Sequence, residues 1–230
     1  MNLAPIGEIV AATTTTFIAQ CIEIPRPDAV AALPDPPAFG TFVRIGSAPG
    51  GAALPADFDP FDDAPAPPAE GGALTLYGVV YFAETGALET GRSLTAFGLE
   101  EDELRREQPQ IYELLATRFS ARLVAHTGED GVPRPYLPPR PPRPHARVYV
   151  CDPAETRRLT ERMDYLRGLL LDSSGALGVS ADELVAALLR NAWRAWSHDE
   201  TFLVRAGREV AALLPSDYDR LRALIARITG

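Results

Sequence analysis

Lysine is absent from this chain of 230 residues, so all 22 of its basic residues are arginine. This absence excludes a phosphate-binding loop of the type G-x-x-x-x-G-K-[ST], because that loop needs its lysine. It also excludes a Schiff-base lysine and a serine–lysine catalytic dyad. The chain is at the same time rich in proline and glycine, with 22 and 18 residues, so a general compositional bias explains the missing lysine.

Cysteine is scarce as well. Cys21 and Cys151 are too few for a disulfide framework, and each lies in an apolar, strand-like run where a reduced, buried cysteine is expected. The first residues lack the basic and apolar regions of a signal peptide, and no apolar run has the length of a membrane-spanning helix. These features predict a reduced, cytoplasmic protein that does not contact a membrane.

Motifs of catalysis and metal binding are missing too. The chain contains no G-x-G-x-x-G, G-x-S-x-G, H-E-x-x-H or paired C-x-x-C motif, and we predict no enzyme, no cofactor and no metal site. Acidic residues 57–63 resemble half of a calcium loop but lack its turn glycine and its twelfth-position glutamate. A metal site built from strand-like segments stays open as an alternative, although no spacing supports it. It would use His126, His145, Cys21 and Cys151.

The chain also lacks a net positive charge. The net charge of −9 disfavours a broad surface for nucleic acid or for anionic membranes, since both need clustered cations. The hydrophobic content of 46% is sufficient for a buried core in one or two domains.

The clearest strand lies within residues 74–92, LTLYGVVYFAETGALETGR. Apolar side chains occupy both parities of its first half, so both of its faces must be covered, one of them by another element or by a partner. Gly78 predicts a close approach of a neighbouring segment. One face carries Leu76, Val80 and Phe82, and the other carries Tyr77, Val79 and Tyr81, which are our candidate partner-binding residues.

Five further strands are predicted around this one. Residues 6–24 indicate two strands joined near four threonines, because threonine favours strands over helices. Residues 40–46 and 146–151 indicate short strands, and residues 120–126 alternate as a strand does.

The connections between these strands differ in composition. Residues 47–72 consist largely of proline, glycine, alanine and aspartate, which predicts a mobile loop. Residues 100–106 are short and charged, and an apolar stripe predicts a helix near residues 110–117.

From Asp152 onward the apolar period changes from two residues to about 3.6, which indicates a helical second part. Asp152 is a predicted N-cap, Pro153 stands at the first helical position and Glu155 at the third. Residues 180–183 predict a capping box for a second helix, and two more helices follow around residues 200–214 and after a stop-and-cap at Pro215 and Ser216. The fold class is therefore α+β. The predicted inward-facing residues are Leu159, Met163, Leu166, Leu170, Leu184, Leu188, Leu189, Trp193, Trp196, Leu221, Leu224, Ile225 and Ile228.

Residues 133–147, PRPYLPPRPPRPHAR, are the one locally basic part of the chain and contain no acid. Their prolines forbid helix and extend the backbone. Such segments bind acidic surfaces, aromatic grooves or phosphates, and the alternative is a stiff connector with solvated arginines near residues 132–145. The candidate partner-binding residues here are Arg134, Arg140, Arg143 and Arg147.

Four short motifs follow one another in the first part of the chain, at residues 6–10, 15–17, 40–43 and 76–80. Their order resembles that of the HAS-barrel, the small β-barrel of the N-terminal regions of HerA-type helicases and ATP-synthase subunits, and residues 137–139 and 144–149 are similar to the connector after the barrel in HerA-like chains. The resemblance covers residues 1–151 and implies an antiparallel barrel of about six strands. About four helices, predicted from the apolar period, follow it in residues 152–230.

A HerA-like protein continues into an ATPase motor, whereas this chain has neither the lysine nor the length for one. The resemblance therefore implies the assembly role of the barrel. We predict a non-enzymatic adaptor in DNA processing that self-associates or docks to a HerA-like ATPase or a NurA-like nuclease.

Two other functions stay open. The first is an accessory protein that binds nucleic acid directly through residues 133–147, although the net charge opposes it. The second is a small enzyme with a site made of arginines and carboxylates, such as Arg92, Arg118, Glu84 and Glu89.

Overall fold

The computed structural model of the chain describes residues 4–22, 33–46, 74–89, 94–128, 130–172 and 177–229. It confirms the α+β class, with a closed antiparallel β-barrel of six strands and, in the described ranges, seven helices. The strands are β1 Gly7–Ala12, β2 Thr16–Cys21, β3 Phe42–Ile45, β4 Thr75–Ala87, β5 Leu115–Thr127, β6 Pro133–Arg134 and β7 Arg147–Val150.

The barrel closes through the order β2-β1-β7-β3-β4-β5, because β5 pairs back with β2. The two-residue strand β6 is added to the end of β5 outside this ring. Apolar residues from all six strands of the ring fill its interior, so that the barrel is a packed core. They include Ile9, Phe17, Ala19, Val43, Ile45, Leu76, Val80, Phe119, Leu123 and Val148.

The first two strands form the hairpin predicted at the threonines. The Thr13 hydroxyl oxygen accepts hydrogen bonds from the backbone N–H groups of Thr15 and Thr16, at 3.2 and 3.0 Å. The Thr13 N–H donates to the carbonyl of Thr16 at 2.8 Å, which closes the turn. Side-chain bonds of this kind explain why threonines serve a turn as well as the flanking strands.

Strand β4 is the longest strand of the ring together with β5, and its first half has the predicted alternation. Leu76 and Val80 belong to the barrel interior, whereas Tyr77 and Val79 belong to a second core under the helices. A Cβ at Gly78 would lie 3.0 Å from Phe17 Cε1, which confirms the predicted close approach. The prediction for Phe82 was wrong: a bulge between Val80 and Phe82 leaves its side chain 44% exposed.

The helix in the region of residues 110–117 is shorter than predicted. Helix α1 is Glu101–Glu107 and α2 is only Gln110–Glu113, because β5 begins at Leu115 and pairs there with the end of β4. In this segment the long-range pairing of the two strands, and not the local helical periodicity, determines the secondary structure.

The helices after residue 152 pack into one bundle. The predicted first helix is divided at residues 160–164, and all four of its predicted inward residues are nevertheless buried. Ile225 is exposed, contrary to the prediction, and Trp193 and Trp196 are half-buried. The helices are α3 Pro153–Leu159, α4 Tyr165–Leu170, α5 Ala181–Ala195, α6 Glu200–Leu213 and α7 Tyr218–Thr229.

The helix starts differ from one another. Asp152 is the predicted N-cap of α3 and forms a capping box with Glu155, with bonds of 2.8 and 3.0 Å. Ser180 is the N-cap of α5 but makes no side-chain capping bond, so the capping box predicted at residues 180–183 was wrong. At α7 the Asp217 carboxylate accepts from the Arg220 N–H at 3.1 Å, which makes Asp217 rather than Ser216 the capping side chain.

The helical bundle packs on the outer face of the barrel and forms a hydrophobic core with it, separate from the barrel interior. Phe42 of β3 contacts Tyr165 of α4 edge to face, with ring centroids 6.0 Å apart. A buried ion pair joins Arg44 Nε of β3 to Glu155 Oε1 of α3 at 3.1 Å, with both side chains no more than 6% exposed. A second ion pair joins Arg122 of β5 to Asp172. The two regions are therefore fixed to each other by apolar packing and by charge.

Some predictions lie outside the described residues, namely the mobile loop at residues 47–72, the acidic residues 57–63 and Arg92. None of the helices in the described ranges is long and apolar enough to cross a membrane.

Candidate functional site

The proline- and arginine-rich segment lies against the barrel surface. It starts after β5, forms β6 with residues opposite His126 and Thr127, and returns to the ring as β7. Pro138 and Pro142 are buried, while the residues between them are exposed. Prolines fix the backbone dihedral φ, so this segment presents its side chains on a stiff, extended backbone.

His126 of β5 binds the middle of the segment to the barrel. The buried imidazole donates from Nδ1 to the carbonyl of Tyr136 at 3.2 Å, and its ring meets the Tyr136 ring edge to face at 5.1 Å. The Tyr136 N–H donates to the carbonyl of Arg134 at 2.9 Å. These contacts define the position of Tyr136 before any partner arrives.

Asp130 stabilises the beginning of the segment by hydrogen bonds and forms an ion pair with Arg134. The carboxylate accepts from Arg134 Nη2 at 2.7 Å and from the Val132 N–H at 3.2 Å. The hydrogen bond from Arg134, followed by that from Val132, lowers the pKa of Asp130 below its ordinary value. Arg134 is thus committed to a contact within its own loop.

The end of the segment is bound to β1. The His145 N–H donates to the Ile9 carbonyl at 2.8 Å, and His145 Nδ1 lies 2.6 Å from Glu8 Oε1. His145 has a φ of 64°, a left-handed conformation that non-glycine residues adopt in tight turns.

Between these fixed points the segment has an exposed surface of mixed character. Tyr136 is 59% exposed and Leu137 is also exposed. Arg140, Arg143 and Arg147 are exposed, and no carboxylate of the described residues forms an ion pair with them. We call Tyr136, Leu137, Arg140, Arg143 and Arg147 the Pro/Arg surface.

The other predicted partner-binding residues lie elsewhere. Tyr77 and Val79 are buried against the helical bundle, and Tyr81 is half-buried at its border. Burial raises the pKa of Tyr77 to about 12. The outer face of β4 is therefore covered by the chain's own helices, which corrects the assignment of Tyr77 and Val79 to a partner.

The alternative sites are not assembled in the described ranges. Glu84 and Arg118 lie opposite each other on β4 and β5, but Glu84 is exposed, and Arg118 Nη2 donates to the Leu88 carbonyl at 2.9 Å. Glu84 is therefore no buried base, and Glu89 is exposed as well.

The metal alternative also fails in the described residues, where no three His, Cys, Asp or Glu side chains converge. Cys21 belongs to the barrel interior and Cys151 to the core under the helices. Burial raises the pKa of both thiols, that of Cys21 to about 11, so neither is a ready thiolate ligand or nucleophile.

A groove of about 490 Å³ lies where β2 ends beside α2 and the start of β5. Cys21, Leu33, Tyr112 and Leu115 contribute to its walls. Its lining also includes the carboxylate of Glu113, while burial keeps the Cys21 thiol protonated.

Neither the protein-family models nor the curated proteins compared with this chain include a match.

The sequence predicted the three arginines of the Pro/Arg surface but not its two other members. Tyr136 and Leu137 stand between prolines in the sequence, and large apolar residues in a segment that cannot form a core strand are a usable signal of an exposed contact. The roles of His126 and Asp130 carry no such signal, because they depend on the return path of the chain.

Proposed function

We propose that this chain is a non-enzymatic, cytoplasmic adaptor of the HAS-barrel type, which needs no cofactor and docks a protein partner through the Pro/Arg surface. The observation that carries the proposal is the fixed exposure of Tyr136 and Leu137 beside three arginines that form no ion pair with a carboxylate of the described residues. Tyrosine and arginine are enriched at the energetic centres of protein interfaces. A segment held in shape beforehand loses little conformational entropy when it binds.

The chemistry of the surface defines the partner as acidic with an apolar pocket. The resemblance of residues 1–151 to the HAS-barrel names the class: a HerA-like ATPase or a NurA-like nuclease that acts in DNA processing. The packing of the helical bundle on the barrel supports a rigid adaptor, because one core joins the two parts.

The test is binding to a purified HerA-like ATPase and a NurA-like nuclease from the same organism. We expect Arg140→Ala/Arg143→Ala to weaken binding at least about tenfold, since each charged contact at an interface centre contributes on the order of 1 kcal/mol or more. The matched control is Arg208→Ala/Arg222→Ala, which removes the same charge from exposed positions of α6 and α7. Tyr136→Ala should weaken binding as well, whereas Tyr218→Ala at another exposed tyrosine should not.

Absence of binding to both partners would contradict the proposed partner class. An equal loss in the Arg208→Ala/Arg222→Ala variant would contradict the Pro/Arg surface as the site and leave only a general charge effect.

The same arginines favour a second candidate, direct binding of single-stranded nucleic acid, in which a base stacks on Tyr136. Fluorescence anisotropy with a labelled oligonucleotide at low salt separates the two functions. Under the adaptor proposal wild type and Arg140→Ala/Arg143→Ala behave alike in this assay. A clear loss of oligonucleotide binding in that variant would favour the second candidate.

A further inference from the structure

The second half of β4 has an open edge. On one side β4 pairs with β5 as far as Ala87. On the other side β3 pairs with it only as far as Val79, and Val80 then exchanges hydrogen bonds with Gly40 and Thr41, at 2.8 and 3.0 Å. From Phe82 onward, no strand in the described ranges pairs with this edge.

The direction of the free backbone groups follows from one hydrogen bond. The Leu88 N–H donates to the Leu114 carbonyl at 2.7 Å, so Leu88 points its backbone groups toward the β5 side. In an antiparallel ladder alternate residues point to opposite edges. Ala83, Thr85 and Ala87 therefore direct their N–H and C=O groups outward, away from β5.

This edge lacks the usual protection against strand addition. Residues 82–87, FAETGA, contain no proline, no lysine and a single charge, that of Glu84. Native edges are commonly blocked by such residues or by bulges. The bulge of β4 lies before Phe82 and leaves the following residues regular.

We propose that this edge binds the same edge of a second copy of the chain, in antiparallel pairing about a two-fold axis at Thr85. The sequence of the edge is complementary to itself in this register. Thr85 lies opposite Thr85 of the second copy, and Ala83 lies opposite Ala87. Glu84 lies opposite Gly86, so no like charges meet.

The strongest contact of this register is apolar. Phe82 lies opposite Leu88 of the second copy on the same face, and the symmetry repeats this pair at the other end. The two side chains are 44% and 41% exposed in the single chain. The pairing covers two exposed apolar side chains on each copy and satisfies three residues of open backbone, and an isologous contact of this kind closes as a dimer.

The inference goes beyond the proposed docking function, because it uses a surface separate from the Pro/Arg surface. A contact of this size is that of a weak, transient dimer, so sedimentation equilibrium should extend to about 100 μM chain. We expect wild type to dimerise in this range.

The decisive variant is Thr85→Pro, with Thr85→Ala as its control. Both lose the hydroxyl that lies 3.0 Å from Thr117 Oγ1, but only proline removes the outward N–H. Thr85→Pro should raise the dimer dissociation constant at least about tenfold, since it removes one hydrogen bond from each copy. Thr85→Ala should stay within about threefold of wild type. A wild type that stays monomeric, or an unchanged dimer of Thr85→Pro, would overturn the proposal.

The register has its own test, which remains valid if Thr85→Pro fails to fold. Copies carrying Glu84→Cys are mixed with copies carrying Gly86→Cys and oxidised. A Cβ at Gly86 meets no atom within 4 Å, and native Cys21 and Cys151 are buried. Disulfide-linked mixed dimers should form readily, and either variant alone should cross-link poorly, because its cysteines lie too far apart. Equal cross-linking in each variant alone would contradict the register.

Failure of the dimer and failure of the adaptor function are distinguishable. If Thr85→Pro is monomeric but still binds the partner, the Pro/Arg surface acts without the dimer. If Arg140→Ala/Arg143→Ala loses the partner and still dimerises, the two surfaces are independent, as their separation in the fold implies.

Discussion

The two halves of β4 belong to one strand and have opposite surroundings. Residues 75–80 are buried, have core on both faces and are paired on both edges as far as Val80. Residues 82–87 are largely exposed. They pair with β5 on one edge, and no strand of the described residues pairs with the other edge. The bulge between Val80 and Phe82 marks the change. A single strand can thus serve as the centre of a core at one end and as an interaction edge at the other.

The largest expected effect is a charge in the covered half. Val79→Asp places a carboxylate where the side chain is fully buried, between the barrel and the helices. We expect the free energy of unfolding to fall by about 4 kcal/mol or more, because the carboxylate loses its hydration and the cation opposite it, Arg122, is already paired with Asp172. Denaturant unfolding, followed by circular dichroism at low protein concentration, measures it.

The matched variant in the exposed half is Phe82→Asp. It should lower the free energy of unfolding by about 1 kcal/mol or less, since its side chain is only partly buried. Equal losses for Val79→Asp and Phe82→Asp would remove the distinction between the two halves.

The next effect compares a buried ion pair beside the covered half with an exposed carboxylate on the other half. Glu155→Gln should lower the free energy of unfolding by about 3 kcal/mol, because it leaves Arg44 buried without its counter-charge. Glutamine keeps the capping bond of α3, so the loss reports the ion pair. Glu84→Gln, opposite the partly exposed Arg118, should change stability by less than about 0.5 kcal/mol. A loss below about 1 kcal/mol for Glu155→Gln would contradict the role assigned to the buried pair.

The smallest effect is a pH dependence outside β4. The folded-state pKa of Asp130 is lowered, chiefly by the hydrogen bond from Arg134, so its contribution to stability is present above its unfolded pKa near 3.8. That contribution is lost as the pH falls through the folded-state pKa. The melting temperatures of wild type and Asp130→Asn should therefore differ slightly between pH 6 and pH 4, and converge as the pH is lowered from 3.8 through the folded-state pKa. A difference that stays constant across this range would contradict the assignment.

The sequence was informative where one segment determines its own structure. The capping box at Asp152 and Glu155, the threonine hairpin and the alternation of Leu76 with Tyr77 all depend on neighbours within a few residues. Local preferences of this kind agree with the fold throughout the core.

The sequence was uninformative where the outcome depends on residues far apart in the chain. The early start of β5 at Leu115 is decided by pairing with Ala87, and the exposure of Phe82 by a bulge against Ser120. The coverage of Tyr77 depends on helices about 90 residues further along, as the core shared with Leu166 shows. Of the candidate site, the arginines could be predicted from composition, but the hydrogen bond of His126 to Tyr136 could not.

The position of β7 has a consequence for the growing chain. This strand lies between β1 and β3 in the ring, yet it is the last strand to leave the ribosome. Until residues 147–150 emerge, the facing edges of β1 and β3 have no intervening strand, and nascent edges of this kind are prone to pair wrongly. Because α3 follows β7 after two residues, ring closure and the first contact of Glu155 with Arg44 become possible at nearly the same moment of synthesis. A chain truncated before Arg147 should therefore lack both the closed ring and the anchor for its helices.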